Sequence, residues 1–567
     1  MKKSGFAVLA LAAMAFTGCD KGGDITSEID YIPVQVEEDG EWQFINKDGV
    51  IAITDGFKEK PSLVVNGVFS VKEDNKICLY KVEKDKPVAI KGCEELVDAG
   101  AFSGGLIPVT FEDSRITLVD GDGNKKFTLD PFKGKEIVRC QAVYQSGLLA
   151  VKTQDDKWGY VDSKGKGVIE PVYDEVSPFV GDYAMVGETP EGSDEQISVL
   201  INKKGEKLVK LRKGWSVMRF QEGNRFFVRD NNDNILIMDN KGETVKCPSR
   251  VKTVYAYNDK FYVFTNDSYE AGVMDYEGNV VLRAKYDSVI LLPDGRIAAH
   301  DDKDIIVYDA KGEKLYELED YRGLEYLPGL NALIARDKRT YQLYDMEGKE
   351  IKDASFSDIN TGSFGDVASD YFNLENVVKD VMDNVQPDGY KNVKFGATAA
   401  QVLKGIDMSD VPYGSSVDMN AWTVEGYRYT VKAAIGFNKS VTTYDSEYNR
   451  ILDPESKVLG FIIRTTCEKE IGLKGLEAFR SAFKSKGFKV DLETKENADS
   501  AEKYVLMTKG DLSALIVAME DGSWTNVVYF KDKDSRDIFT RQIQQRNGTV
   551  PEEVVAESEP DSDEDGY

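Results

Sequence analysis

Residues 157–176 open Lys157-Trp158-Gly159-Tyr160-Val161-Asp162-Ser163-Lys164-Gly165 and run on through Ile169, Tyr173-Asp174 and Val176. The same order returns 113 residues later, ungapped, as Gly272-Val273-Met274-Asp275-Tyr276-Glu277-Gly278, then Leu282, Tyr286-Asp287 and Val289. Self-similarity at a fixed offset is the mark of a repeat architecture. A shorter core, an apolar pair followed by Asp or Asn, two polar residues and Gly, recurs at Asn46 to Gly49, Asp120 to Gly123 and Asn202 to Gly205. It continues at Asp239 to Gly242, Asp309 to Gly312 and Asp345 to Gly348. Successive glycines lie 74, 42, 40, 37, 36, 34 and 36 residues apart, and the first gap equals two periods. A degenerate copy is therefore expected near Leu79 to Val88, for about nine copies between residues 31 and 352.

Each part of the core has a physical reason. Apolar stretches such as Leu148-Leu149-Ala150-Val151 and Arg225-Phe226-Phe227-Val228 read as strands. The Asp or Asn side chain can accept from a backbone amide two residues on, and Gly supplies the left-handed residue that closes the turn. Asp-x-x-Gly is thus a hairpin corner, and three or four short strands fill each unit. Pro171 suits a strand end, where its missing donor does no harm.

The copies with Trp42, Trp158-Gly159, Glu170-Pro171 and Tyr173-Asp174 resemble the bacterial WG-repeat family, most fully over residues 157–184. Trp42 is followed by Gln43 rather than Gly, and the other copies lack the Trp. The resemblance implies repeat-built β modules used for interaction and no shared reaction. A four-stranded unit of this length suits a propeller blade, with an open β-solenoid as the alternative. The propeller is favoured because ring closure protects sheet edges. Nine copies would make a large propeller, or a smaller one with extra hairpins.

The N-terminus carries Met1-Lys2-Lys3, an apolar run from Phe6 to Phe16, and Thr17-Gly18-Cys19. A basic start, a short apolar core and small residues before the cut form a secretory signal peptide over residues 1–18. Phe16-Thr17-Gly18-Cys19 resembles a bacterial lipobox, with Phe16 in the place of the usual Leu. Cys19 is the expected lipidation site. Residues 19–30 then form a polar, Gly-rich tether, and the expected address is the cell envelope, at the outer membrane or cell surface.

A chain of 567 residues exceeds one ordinary core. The Ser, Asp and Gly cluster of 353–370 reads as a linker. Beyond it, Tyr371, Leu374, Val377, Val378, Val381, Met382 and Val385 have helical spacing, as do Leu473, Leu476, Phe479 and Phe483 before Gly487. Val424 to Phe437, Lys457 to Thr466, Leu512 to Met519 and Ser523 to Phe530 read as strands, the last pair around Asp521-Gly522. A helix from Ser535 to Gln545 closes an α+β domain over 371–546, an antiparallel sheet with helices on one face. Residues 547–567 form an acidic tail expected to be disordered.

Chemistry is sparse. One histidine, His300, disfavours His-based catalysis or zinc binding. The six cysteines include no CxxC pair. With Cys19 lipidated the remainder is odd, and buried thiols are expected rather than a disulfide framework, with a single bridge such as Cys78 to Cys93 as the alternative. Asp120-Gly121-Asp122-Gly123-Asn124 looks like a calcium loop, but Lys125 and Pro131 break the pattern, so it reads as another corner. Net charge −27 argues against nucleic acid as a partner. No cofactor, metal site or catalytic residue is assigned. The repeat signature is Trp42, Trp158, Gly159, Asp162, Gly165, Tyr173, Asp174, Gly272, Asp275, Gly278, Tyr286 and Asp287. The expectation is a non-enzymatic, lipid-anchored scaffold with envelope protein partners. A glycan is the second ligand class, and a propeller-borne glycan-active enzyme the third.

Overall fold

The computed structural model describes residues 29–547, apart from 221–224, 339, 363–364, 370, 407, 410, 427, 468–471, 496–500 and 520–523. The leader, Cys19, nearly all of the tether, the Asp521-Gly522 turn and the acidic tail lie outside the described residues. The chain divides into two compact units, Met1–Tyr371 and Phe372–Tyr567.

The first unit is built from four-stranded antiparallel blades. Blade 4 shows the pattern, with Ile137–Gln141, Leu148–Thr153, Trp158–Asp162 and Gly167–Tyr173 paired in chain order. Blades 3 and 5 to 9 repeat it through Phe356, the ninth ending in Tyr341–Tyr344 and Glu350–Phe356. The degenerate copy expected near Leu79 is blade 2, with Val64–Val65, Val68–Glu73, Lys76–Glu83 and Lys86–Ala89. Blade 1 takes three strands from the N-terminus, Ile29–Gln35, Trp42–Ile45 and Ile51–Phe57, and its remaining strand, Asp358–Ile359, from beyond blade 9. Val34 pairs with Ile359 and Gln35 with Asp358, so the two ends of the unit share one sheet. Ile29 and Tyr31 also pair with Val65 and Val64, which joins blade 1 to blade 2.

The packing shows that the array is closed. Strand residues alternate between neighbours: in Ile297–Asp301 of blade 8, Ile297 and Ala299 pack toward blade 7 and Ala298 toward blade 9. Among the described residues nine separate apolar cores lie between blades, one per adjacent pair. The ninth joins Leu327, Ile334, Leu343 and Phe356 of blade 9 to Ile32, Val34 and Ile45 of blade 1. An open stack would leave its end blades uncovered. The architecture is a nine-bladed β-propeller, and the solenoid alternative is set aside.

Residues 353–370, read from composition as a linker, are instead part of the ring. Ser357 donates its amide to the Gln35 carbonyl at 2.7 Å, and Asn360 Nδ2 donates to the Pro61 carbonyl at 2.6 Å. Asp366–Ala368 adds a fifth strand to blade 4 beside Ile137–Gln141. Polar residues serve here because the segment meets sheet edges and needs partners for its backbone. Ile29 and Asp30, read as the end of the tether, likewise begin the first strand.

The second unit is an α+β layer structure. Its sheet runs in the order Ser416–Asp418, Tyr429–Phe437, Val458–Cys467, Trp524–Phe530, Leu512–Met519, Glu502–Lys509, Lys489–Glu493, antiparallel throughout. Helices α1 (Leu374–Met382), α2 (Ala399–Val402), α3 (Gly472–Ser485) and α4 (Lys533–Arg546) accompany it. Val377 and Val381 of α1 and Phe479 and Phe483 of α3 cover one face with Ala514 and Ile516. Ile543 of α4 packs with Leu515 and Val517, which point the other way along the same strand. Helices on one face only was therefore incorrect. The strand Leu512–Met519 is buried on both faces and needs cover on each.

Candidate functional site

The repeat signature is consumed by the scaffold. Asp162 Oδ1 accepts from the amides of Lys164 and Lys166, both at 2.9 Å, while Gly165 closes the corner at φ 75°. Asp275 accepts from Asn279 at 2.7 Å, with Gly278 at φ 89°. The amide four residues on is a second donor that the two-residue reading did not include. Gly159 answers a different need. A Cβ there would lie 2.5 Å from the Ile169 carbonyl oxygen and 2.7 Å from the Pro171 nitrogen, because the outer strand bulges across it. Gly272 meets Leu282 and Ala284 in the same way. The aromatics Trp42, Tyr173 and Tyr286 are buried and Trp158 is half-buried between blades 4 and 5, so none is an open stacking platform. Asp120 and Asp122 are paired with Lys126 and Lys81, which makes the calcium-like stretch a corner of blade 3.

The two best copies depart from each other at one end of the blade. In blade 4, Asp174 is neutralised by Lys157. Burial opposes its ionisation, yet the hydrogen bond and charge of Lys157 hold the Asp174 carboxyl below the usual range. In blade 7 the residue at the position of Lys157 is Glu270, so Asp287 loses its cation. His300 stands where Gly187 stands, and the backbone is conserved: Asp174 donates its amide to the Gly187 carbonyl and Asp287 to the His300 carbonyl, both at 2.9 Å. Tyr269 stands where Asp156 stands. Both hold the left-handed conformation, at φ 64° and 66°, but Tyr269 is 82% exposed. Ala271 pairs with Tyr286, so the turn that carries Tyr269 lies at the same end of the blade as Asp287.

Of these positions, His300 lines a cavity of about 640 Å³, together with Asp287. Its floor is His300, buried, with Nδ1 3.5 Å from Asp287 Oδ2 and Nε2 3.0 Å from the Tyr321 carbonyl. The Asp302 amide donates to Asp287 Oδ2 at 2.9 Å. The lining also holds Lys303, Arg322 and Arg336, and backbone bonds tie their segments together: Tyr321 donates to the Lys303 carbonyl and Arg322 to that of Arg336. All three side chains are exposed, and none has a carboxylate partner among the described residues. Other cations at this end of blades 7 and 8 do: Lys285 with Asp301 at 2.8 Å and Lys252 with Asp267 at 3.2 Å. The lining is thus of mixed charge, with Asp287 at the junction of blades 7 and 8, Asp302 and Lys303 in one turn of blade 8, and Arg322, Glu325 and Arg336 at blade 9.

Sequence reasoning flagged His300 only for being alone and Asp287 only as a repeat residue. Subtracting the two copies at the 113-residue offset would have exposed Tyr269, Glu270 and His300. Nothing at that level could find Lys303, Arg322 and Arg336, which converge only through the ring. Cys78, Cys93, Cys140, Cys247 and Cys467 are free thiols among the described residues, and burial raises the Cys93 thiol to about 11. No group of His, Cys, Asp and Glu positioned to hold a metal occurs among the described residues.

Residues 158–188 match the WG containing repeat family. No curated protein matches the chain. Similar solved structures include BamB from Moraxella catarrhalis (10% identity, 47% of this chain and 93% of that one, TM-score 0.29). Others are the WD40 β-propeller domain of Doa1 (14%, 48% and 88%, 0.22) and the C-terminal WD40 domain of Sif2 (12%, 60% and 97%, 0.29). At these scores the fold assignment rests on the sheet order and the ring of cores. The chain carries a WG containing repeat within a nine-bladed propeller, followed by an α+β unit.

Proposed function

We propose that this protein is a non-catalytic scaffold of the bacterial cell envelope, tethered through a lipid on Cys19, that binds a protein partner at the blade 7–9 end of its propeller. The observation that carries this reading is the local break in the repeat. Lys157 serves the scaffold by pairing with Asp174, whereas at the equivalent positions of blade 7 and beyond Glu270 leaves Asp287 without that cation, Tyr269 is exposed, and His300 lines an open cleft. Departures from a repeat at clustered positions mark functional sites. Tyr and Arg are the residue types that dominate binding energy at protein interfaces, and both are exposed here. The leader and the Gly-Cys step at residues 18 and 19 support export and anchoring.

The test is a cross-linking pull-down from envelope membranes with the full lipidated chain, tagged, against a tagged unrelated lipoprotein. A partner recovered stoichiometrically by the wild type and lost with Tyr269→Ala supports the reading. Recovery of glycan fragments without protein, or of a partner indifferent to Tyr269, overturns it.

A further inference from the structure

From the charges that line this cleft we infer the partner's chemistry: an extended peptide segment of mixed charge, cationic at the Asp287 end and acidic at the Arg322–Arg336 end. The inference rests on the interaction reading above and specifies its ligand. The chain has 99 Asp and Glu against 72 Lys and Arg. A cation on such a surface gains by finding a carboxylate, and Lys285 and Lys252 at the same end of blades 7 and 8 have done so. Lys303, Arg322 and Arg336 have not, although Asp302 and Glu325 line the same cleft. Two guanidinium groups on adjacent strands offer forked donors suited to carboxylates.

The other wall excludes a compact anion as the natural guest. Asp287 and Asp302 would repel a phosphate centred in the cleft. Asp287 already accepts the Asp302 amide and faces His300 Nδ1, so its carboxylate is held toward the cavity. At the same end of blade 7 stands Tyr269, whose exposed ring can take a cation on its face. A guest must therefore carry positive charge on the blade 7 side and negative charge on the blade 9 side. An extended peptide does both with alternate side chains, and its backbone can pair with groups between.

The experiment is a selection of random dodecapeptides displayed on phage against the immobilised full mature chain. The expected outcome is an enriched consensus that combines Lys or Arg with Asp or Glu. Retention of the selected peptides should fall by roughly tenfold or more with Arg322→Glu/Arg336→Glu, a loss typical of like-charge juxtaposition at an interface. Peptides with each charge reversed should bind that variant better than they bind the wild type. The substituted side chains are exposed, and circular dichroism verifies that the variant is folded. An apolar or purely acidic consensus, binding indifferent to the double variant, or no enrichment overturns the inference. If the pull-down partner is retained by Arg322→Glu/Arg336→Glu but lost with Tyr269→Ala, the scaffold reading stands and this one fails. If no protein partner exists, the scaffold reading fails first.

Discussion

Replacing Gly159 by alanine tests what the repeat glycine is for. Its backbone is not in the left-handed region, so conformational freedom is not at issue. The added Cβ would stand 2.5 Å from the Ile169 oxygen, 2.7 Å from the Pro171 nitrogen and 2.8 Å from the Glu170 carbonyl carbon. All three are backbone atoms, so no side chain can turn aside. The outer strand of blade 4 must lift, which costs about 1–3 kcal/mol as overpacking. One or two of the hydrogen bonds between Trp158–Asp162 and Gly167–Tyr173 weaken as well, at about 1 kcal/mol each, for a total of about 2–4 kcal/mol. Gly67→Ala is the comparator: φ is 73° and nothing lies within 4 Å of the added carbon. Its cost is conformational, about 1 kcal/mol. Urea unfolding of the mature chain, followed by tryptophan fluorescence and circular dichroism, should rank Gly159→Ala well below Gly67→Ala, and Gly67→Ala below wild type. A Gly159→Ala protein within about 0.5 kcal/mol of wild type would refute the steric reasoning.

Acid should loosen the corners. The amide of Glu313 and then that of Lys311 hold the Asp309 carboxyl below its usual range, and Asn234 does the same for Asp230. A carboxyl depressed in the folded state contributes stability above its unfolded pKa, near 4, and loses it as pH falls through the folded value. Unfolding midpoints should therefore drop below about pH 4, less steeply with Asp309→Asn/Asp230→Asn; equal slopes would contradict this. Tyr269→Gly should stabilise the propeller by about 0.5 kcal/mol, the left-handed cost of tyrosine less the entropy of glycine, while weakening partner capture. A destabilised protein would mean that the ring packs in place. Cys19→Ser should move the protein from the membrane to the soluble fraction on cell fractionation, and unchanged membrane retention would exclude the lipid anchor.

Periodicity carried most of the fold. Asp-x-x-Gly is legible because one side chain and one left-handed residue close a corner locally, without tertiary help. Blade 2 was recoverable from spacing alone, although its corner uses Lys84 and Asp85 at positive φ in place of glycine. What stayed hidden depends on distant pairing. The pairing of Asp358–Ile359 with Ile29–Gln35 lies in no local pattern, so the polar closing segment looked like a linker. The burial of Leu515 and Val517 against α4 is equally invisible in a strand whose two faces are both apolar. At the cleft, His300 was present in the difference between two copies. The cationic half needed the ring to bring blades 8 and 9 together.

Closure of that ring underlies both the blade count and the placement of the cleft. It is tested most directly by cysteines at Gln35 and Asp358, paired across the closing strands and 323 positions apart in the chain. Antiparallel partners lie within disulfide reach, so mild oxidation of the mature Gln35→Cys/Asp358→Cys protein should give one intrachain bridge between those positions by peptide mass mapping. Free thiols, or bridges only between separate molecules, would mean that the ends do not meet and that the blades form an open array.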